Sequence, residues 1–235
     1  GTPSSSASAV TESLLSAAKN GDATILQQLL DQGIDVNAKD GKGTTALLSA
    51  ANHNQPEIIK MLLEKGADVD MRDKDGNTAL MMAATQGHTD IVQILLEKGA
   101  KVDEKNKDGD TALMIVSNAE IVKLLVEKGA DLDEKNRDGL TPFFCAASGQ
   151  RTEVVQALTQ HGIEADGREE NGATALMWAA MGARENADTV KALIAKGADV
   201  NTSDYGGQTV LIFAVAWGEG QNATAIQALI ENKAN

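Results

Sequence analysis

Threonine and glycine recur at matching spacings along most of this chain of 235 residues. Each threonine opens a short apolar run, and successive threonines lie 33, 33, 30, 33 and 35 residues apart. The threonines are Thr45, Thr78, Thr111, Thr141, Thr174 and Thr209, and the glycines with the same spacings are Gly33, Gly66, Gly99, Gly129, Gly162 and Gly197. A period near 33 residues is typical of stacked supersecondary units, each of which buries its apolar face against the next.

The segment from Asp75 to Gly99 shows what one unit contains. Asp75 and Gly76 form a tight-turn signal, because glycine adopts positive φ without steric cost. Thr78 is a candidate N-cap for the helix that follows, and Gly99 is a candidate C-cap for a second, more apolar helix. Neither helix exceeds about ten residues, so each is marginal alone in water and depends on the neighbouring unit.

This order of turn, short helix, turn, second helix and extended return resembles the ankyrin repeat family. The motifs that carry the resemblance are Asp-x-x-Gly-x-Thr-Ala-Leu, the Ala-Ala pairs at 50–51, 83–84, 146–147 and 179–180, and Leu-Leu-Glu-Lys-Gly-Ala-Asp-Val-Asp at 62–70. The resemblance implies an all-α fold, a helix-turn-helix solenoid with short β-hairpin loops and about seven repeats including both caps.

The repeat register predicts the organisation of the chain. Residues 1–12 are expected to be a flexible segment, and residues 13–235 the repeat domain. Within it we place an N-terminal capping repeat at 13–40, internal repeats at 41–73, 74–106, 107–136, 137–169 and 170–204, and a C-terminal capping repeat at 205–235. The small-residue start is read either as a trimmed terminus or as a spacer left after a signal segment was removed, so cytoplasmic and exported locations both stay open.

The charge of the chain restricts its partners. It has 21 Lys and Arg against 34 Asp and Glu, a formal net charge of −13. Because this charge repels phosphate at long range, we expect neither nucleic acid nor an anionic membrane as a partner. No apolar run approaches the ~18 residues that a membrane-spanning helix needs. The acidic surplus favours a protein partner with a basic patch, and we expect the chain itself to be monomeric.

The sequence contains no motif for catalysis. No nucleophile and base are paired in a known pattern, and there is no glycine-rich phosphate loop. Asp68, Asp70, Asp73 and Asp75 form a carboxylate run of the kind that suits calcium, but the order of a calcium-binding loop is missing. We interpret these side chains as turn chemistry and predict no enzyme activity, no metal and no cofactor.

Four departures from the family pattern stand out. Apolar residues replace the usual histidine at Leu48, Met81, Met114, Phe144, Met177 and Ile212, where we expect packing between hairpins and helices. The repeat after Thr111 is three residues short, which predicts a clipped helix pair. The turns at 182–187 and 218–222 are lengthened, and loops on a rigid scaffold often carry function. Lys233 stands where glycine is expected.

The resemblance also implies where a partner binds, namely the hairpin tips and the concave face of the first helices. The candidate residues are His53, Lys74, Asn77, Gln86, Lys107, Asp110, Arg137, Leu140, Asn171, Met181, Tyr205, Gln208 and Trp217. Exposed aromatic residues concentrate interface energy, so Tyr205 and Trp217 place the strongest candidates in the last repeats. Trp178 is expected in the core by its helical phase, and Trp217 is open between interface and core.

The sequence therefore predicts a non-catalytic protein-protein interaction module. The first alternative is a structural or self-associating repeat protein whose ends pair. The second is a module that binds a metal or a small ligand.

Overall fold

A computed structural model describes residues 5–182, 187–217, 220 and 222–235. The described part contains fourteen α-helices and almost no strand. The helices are α1 (Ser5–Asn20), α2 (Ala23–Asp31), α3 (Ala46–Asn52), α4 (Pro56–Glu64), α5 (Ala79–Gln86), α6 (Thr89–Glu97), α7 (Ala112–Ile115), α8 (Ala119–Glu127), α9 (Pro142–Ser148), α10 (Thr152–Gln160), α11 (Ala175–Gly182), α12 (Asp188–Ala195), α13 (Val210–Trp217) and α14 (Ala223–Glu231). The all-α class predicted from the sequence is confirmed.

The chain divides into two compact units, Gly1–Asp131 and Leu132–Asn235. In the first unit, consecutive helices pair as α1–α2, α3–α4, α5–α6 and α7–α8. The first helices α1, α3, α5 and α7 pack in series, and the second helices α4, α6 and α8 form a parallel series. The second unit has the same arrangement, with α9, α11 and α13 in one series and α10, α12 and α14 in the other.

The recurring threonines begin the first helices. Thr45 and Thr78 are N-caps, and each side-chain oxygen accepts a hydrogen bond from the backbone N–H three residues later at 3.3 Å. In two other repeats this bond is absent, because the hydroxyl oxygens of Thr111 and Thr174 are buried without a hydrogen-bond partner. The backbone N–H groups of these two threonines donate instead to the sulfur atoms of Met114 and Met177 at 3.5 Å. The N-cap prediction is therefore confirmed where the hydroxyl accepts the bond.

The core consists of thin layers of alanine and aliphatic side chains. The Ala-Ala pairs predicted from the motif are fully buried, because neighbouring first helices approach closely there. The apolar residues at the family's histidine position are buried at Leu48, Met81, Met114, Phe144 and Met177. Ile212 differs, because its side chain is 45% exposed.

Three features differ from the expectations or refine them. α1 begins at Ser5, inside the segment 1–12 that we expected to be flexible, and residues 1–4 lie outside the described part. The short hairpin loops contain little β structure, since the described residues have two isolated antiparallel bridges, Arg168–Thr174 and Ser203–Thr209. The clipped helix pair predicted after Thr111 is confirmed for the first helix alone, because α7 has four residues whereas α8 has nine.

None of the helices in the described ranges is both long and apolar enough to cross a membrane.

Candidate protein-binding surface

The hairpin loops are held by side-chain acceptors at their first position. In the loop that begins at Asp73, one carboxylate oxygen accepts the backbone N–H groups of Asp75 and Asn77, at 2.9 and 2.8 Å. Asp40, Asn106 and Asn136 each accept the same pair of hydrogen bonds, from the backbone N–H groups two and four residues later. Short polar side chains form such turns readily, because they reach the backbone two to four residues later. Within the carboxylate run that resembled a calcium ligand set, Asp73 therefore serves as the acceptor of its loop, and Asp68 accepts the backbone N–H of Asp70 at 3.0 Å.

Neighbouring loops are also bonded to each other through the backbone. In the first unit, the N–H of Lys74 donates to the carbonyl of Lys42 at 3.0 Å, and the N–H of Lys107 donates to the carbonyl of Asp75 at 2.8 Å. In the second unit, the N–H of Tyr205 donates to the carbonyl of Asn171 at 3.0 Å. These bonds fix the loop tips that they join against one another.

Long cationic side chains tie the bases of adjacent loops. Lys39 Nζ donates to the carbonyl of Arg72 at 2.8 Å, and Arg72 Nη1 donates to the carbonyl of Lys105 at 3.0 Å. In the second unit, Arg168 Nη1 donates to the carbonyls of Gly172 and Ser203, each at 2.8 Å. The repeat motif alone does not predict this tie, although Lys39 and Arg72, which lie 33 residues apart just before their loops, are its signal in the sequence.

The candidate residues of the first unit divide into exposed and bonded ones. Lys74, Lys107, His53 and Gln86 are exposed, whereas Asn77 and Asp110 are half-buried. Asn77 Nδ2 donates to Asp73, and Asn77 Oδ1 accepts from Asn106 at 3.2 Å, so this side chain holds two loops together. Asn77 therefore has a structural role in joining the two loops, and its side chain is still partly exposed.

A notch of about 280 Å³ opens beside α7 in the first unit. Its lining residues are Asn52, Asn77, Met81, Met82, Thr85, Gln86 and Ile115. Ile115 is the last residue of α7, which has four residues where α5 has eight. On α5, Met82 is half-buried and Thr85 is exposed beside the notch. The sequence predicted the short helix but not the notch, whose lining residues come from neighbouring repeats.

Hydrogen bonds of Ser117 and Asn118 stabilise the turn that follows the short helix α7. Ser117 donates from both its backbone N–H and its hydroxyl to the carbonyl of Ala84, at 3.2 and 3.1 Å. Asn118 caps α8 by accepting the N–H of Ile121 at 2.9 Å. The notch is thus bordered by an ordered turn.

The candidate residues of the second unit include one aromatic residue, Tyr205, whose side chain is mostly exposed to solvent. Tyr205 is 73% exposed and Trp217 is 57% exposed, while Met181, Leu140 and Gln208 are half-buried. Arg137 and Asn171 are exposed at loop tips, and Asn171 Oδ1 accepts the N–H of Ala173 at 2.8 Å. Tyr205 is exposed as expected, and Trp217, for which interface and core were both open, is exposed as well. The role of both residues in binding stays a prediction.

The ring of Tyr205 packs against the backbone of Gly172. A β-carbon at Gly172 would lie 2.7 Å from Cδ1 and 2.8 Å from the backbone nitrogen of Tyr205, closer than real side chains come. Gly172 also has φ +85, where residues with a side chain are strained. The ring of Tyr205 therefore lies against the preceding loop with most of its surface in solvent.

Glu169 and Trp178 form a half-buried pair behind this loop. Trp178 Nε1 donates to Glu169 Oε2 at 3.0 Å, and the other carboxylate oxygen is buried without a hydrogen-bond partner. Burial raises the pKa of the Glu169 carboxyl, and the bond from Trp178 and the charge of Lys135 oppose this shift only in part. The expectation of a core Trp178 is wrong, since its indole is half-buried and bonded to this carboxylate.

The lengthened turns are only partly within the described residues. Residues 183–186, 218–219 and 221 lie outside them, and the functional role expected for these turns stays a prediction. Asn222, at the end of the second turn, is buried and donates to the carbonyls of Ala180, at 3.2 Å, and Ala214. Lys233 adopts φ +67, as expected for a residue in the place of a glycine.

No group of three or more His, Cys, Asp or Glu side chains within the described ranges is arranged to hold a metal ion. The thiol of Cys145 is half-buried, and its sulfur accepts from Asn136 Nδ2 at 3.8 Å.

Comparison with known proteins agrees with this geometry. A family profile described as ankyrin repeats, in three copies, matches residues 14–106, 99–169 and 163–235. The crystal structure of the human ASB11 ankyrin repeat domain is similar at a TM-score of 0.79 and 25% sequence identity, covering 94% of this chain and 98% of that one. A search of curated proteins gives no match. The chain belongs to the ankyrin repeat family, whose members are generally non-catalytic protein-interaction modules.

Proposed function

We propose that this chain binds a partner protein without catalysing a reaction, through its hairpin tips and the exposed side of its first helices. The observation that carries the proposal is that hydrogen bonds already hold the hairpin loops in place. Their backbone groups are already bonded to Asp, Asn and neighbouring loops, while Lys74, Lys107, Arg137 and Tyr205 extend into solvent. A surface ordered in advance loses little entropy on binding, which is the usual basis of tight recognition.

Tyr205 is the anchor that we assign to the second unit. Its backbone nitrogen is bonded to Asn171, its ring rests on Gly172, and most of its surface is free. An aromatic ring with few rotatable bonds contributes a large contact area at low entropic cost. Trp217 of the same unit offers a second exposed ring.

The notch beside α7 is the recess that we assign to the first unit. Met82 and Ile115 give it an apolar floor, and the amides of Asn52 and Gln86 border it, bonded to each other at 3.3 Å. Its volume of about 280 Å³ accommodates one or two partner side chains, with Met82 free to adjust to their shape.

The net charge of −13 supports a partner with a basic patch. Binding to such a partner should weaken as salt is added, because screening reduces the attraction between the two surfaces.

Photo-crosslinking tests the proposal and identifies the partner. A photoreactive phenylalanine derivative is placed at Tyr205 and, as a matched control, at Gln156, which is exposed on α10. We expect a discrete crosslinked protein from position 205 in source-cell extract and none from position 156. Equal crosslinking from both positions, or none from position 205, would contradict the assigned surface.

A further inference from the structure

The sequence contains two Asn-Gly steps, Asn20–Gly21 and Asn171–Gly172. In such a step the backbone nitrogen of the glycine can attack the side-chain carbonyl carbon of the asparagine, because glycine has no β-carbon to obstruct the approach. Both asparagine side chains are exposed, so water reaches both of them. The hydrogen bonds around the two steps differ, and this difference decides which step reacts in the folded chain.

The loop at Asn171 folds the side-chain amide over the following peptide. Asn171 Oδ1 accepts the backbone N–H of Ala173 at 2.8 Å. This Asx turn closes a small ring that contains both the side-chain carbonyl carbon of Asn171 and the backbone nitrogen of Gly172. The Ala173 N–H also polarises the carbonyl group and stabilises the negative charge that develops on Oδ1 during the attack.

Two neighbouring residues fix this arrangement. Glu169 occupies the position where other loops carry the Asp or Asn that accepts the loop N–H groups, but its carboxylate accepts from Trp178 instead. Asn171 therefore supplies the acceptor of its own loop. A β-carbon at position 172 would lie 2.7 Å from Tyr205 Cδ1, so the packing of this ring requires the glycine that leaves the backbone nitrogen open to attack.

Asn20 lacks this arrangement. It is the last residue of α1, and its Nδ2 donates to Ser16 Oγ at 3.5 Å, which directs the amide back along the helix. The N–H two residues later, that of Asp22, donates to the carbonyl of Ala17 at 2.9 Å. This N–H is therefore engaged in the end of the helix and does not polarise the Asn20 carbonyl.

We propose that the hydrogen bond from Ala173 makes Asn171 the deamidation site of the folded chain. Hydroxide removes the proton of the Gly172 N–H, which breaks its bond of 2.9 Å to the carbonyl of Glu169. The nitrogen then bonds to the side-chain carbon of Asn171, whose C–N bond breaks, and the amide nitrogen takes a proton from water and leaves as ammonia. Water opens the resulting succinimide at either carbonyl group and yields aspartate or isoaspartate.

The two products have different effects on the loop. Aspartate keeps the acceptor oxygen and adds one negative charge, and Asp75, Asp108 and Asp138 show that the other loops accommodate it at the equivalent position. Isoaspartate inserts a methylene group into the main chain and displaces the carbonyl of residue 171, which accepts the N–H of Tyr205 at 3.0 Å. Isoaspartate should therefore release Tyr205 from the preceding loop. The effect of this release on partner binding rests on the proposed function, whereas the modification itself does not.

Incubation of the full chain in mildly alkaline buffer, followed by peptide mass spectrometry, compares the two steps directly. We expect Asn171 to be converted at least about tenfold faster than Asn20, at a rate that rises in proportion to hydroxide. In concentrated urea the two rates should become similar, because the hydrogen bonds that distinguish the steps are lost. Equal rates in the folded chain, no conversion of Asn171, or a difference that persists in urea would overturn the proposal.

Glu169→Asp tests the bond from Ala173, with Glu170→Asp as its matched control. An aspartate at position 169 should accept the N–H groups two and four residues later, as Asp73 does, and so take the Ala173 N–H away from Asn171. We expect deamidation to slow several-fold in Glu169→Asp and to be unchanged in Glu170→Asp. An undiminished rate in Glu169→Asp would contradict the assigned role of the bond, and circular dichroism checks that both variants fold.

Hydrogen exchange of the Tyr205 amide tests the consequence for the loop. The isoaspartate form, separated by chromatography, should lose the protection of this N–H, whereas Asn171→Asp should keep it, because its main chain is unchanged. Retained protection in the isoaspartate form would overturn the release of Tyr205.

Discussion

Glu169 occupies the loop position where Asp40, Asp73, Asn106 and Asp204 accept backbone hydrogen bonds. Its side chain is one methylene longer and is directed to Trp178 instead, while Asn171 caps the loop. The carboxyl is thereby partly buried, with one oxygen unpartnered. A buried ionised carboxylate without full bonding destabilises the folded state.

The raised pKa of Glu169 predicts how stability depends on pH. The folded-state pKa of Glu169 lies above the ordinary value of 4.5. The contribution of this carboxyl to the free energy of unfolding therefore decreases as pH rises from the ordinary pKa to the folded-state pKa, and it stays low at higher pH. Glu169→Gln should therefore raise the melting temperature at pH 7 by at most a few degrees, and the difference should vanish near pH 4.

Glu170→Gln is the control for this measurement. Lys135 lowers the pKa of the exposed Glu170 carboxyl through a hydrogen bond of 2.8 Å, so any stability from this pair is present above the ordinary pKa and is lost on acidification. We expect Glu170→Gln to be neutral or slightly destabilising at pH 7. Equal melting of Glu169→Gln and the wild type at both pH values would show that the buried carboxyl carries no cost.

At the scale of elements, the ends of the second helices depend on backbone conformation. α12 is followed by Gly197 at φ +97, whereas α14 is followed by Lys233 at φ +67. A residue with a β-carbon pays roughly 1–2 kcal/mol in this region, partly offset by the greater entropy that glycine loses on folding.

The two positions form a reciprocal pair for mutation. Lys233→Gly should stabilise the chain by about 0.5–1 kcal/mol, and Gly197→Lys should destabilise it by about 1–2 kcal/mol. No atom lies within 4 Å of a β-carbon at Gly197, so the second change tests backbone strain alone. Urea denaturation measures both. A loss of stability in Lys233→Gly would mean that its side chain contributes more than its strained backbone costs.

The elements also show which parts of the structure were predictable. The N-cap threonines and the C-cap glycines act within a few residues of themselves, so the helices could be predicted from short windows of sequence. The tie from Arg72 to Lys105 joins residues 33 apart and appears only when two repeats are stacked. The notch at Ile115 likewise depends on neighbouring repeats. The bond between Trp178 and Glu169 joins residues nine apart and depends on how the loop folds against the start of α11.

At the scale of the molecule, the hairpin tips form the surface that suits a partner protein, because they are polar and charged on a bonded backbone. The net charge of −13 favours a partner with a basic patch. Binding to such a partner should weaken as salt is added, because screening reduces the attraction between the two surfaces.

The most direct test of the partner surface is the affinity of Tyr205→Ala for the protein captured by crosslinking, measured by titration calorimetry beside Gln156→Ala. We predict that Tyr205→Ala raises the dissociation constant roughly tenfold or more, because a presented aromatic anchor is lost, while Gln156→Ala changes it less than about twofold. An unchanged dissociation constant for Tyr205→Ala, with weakening by Gln156→Ala, would contradict recognition through the hairpin tips.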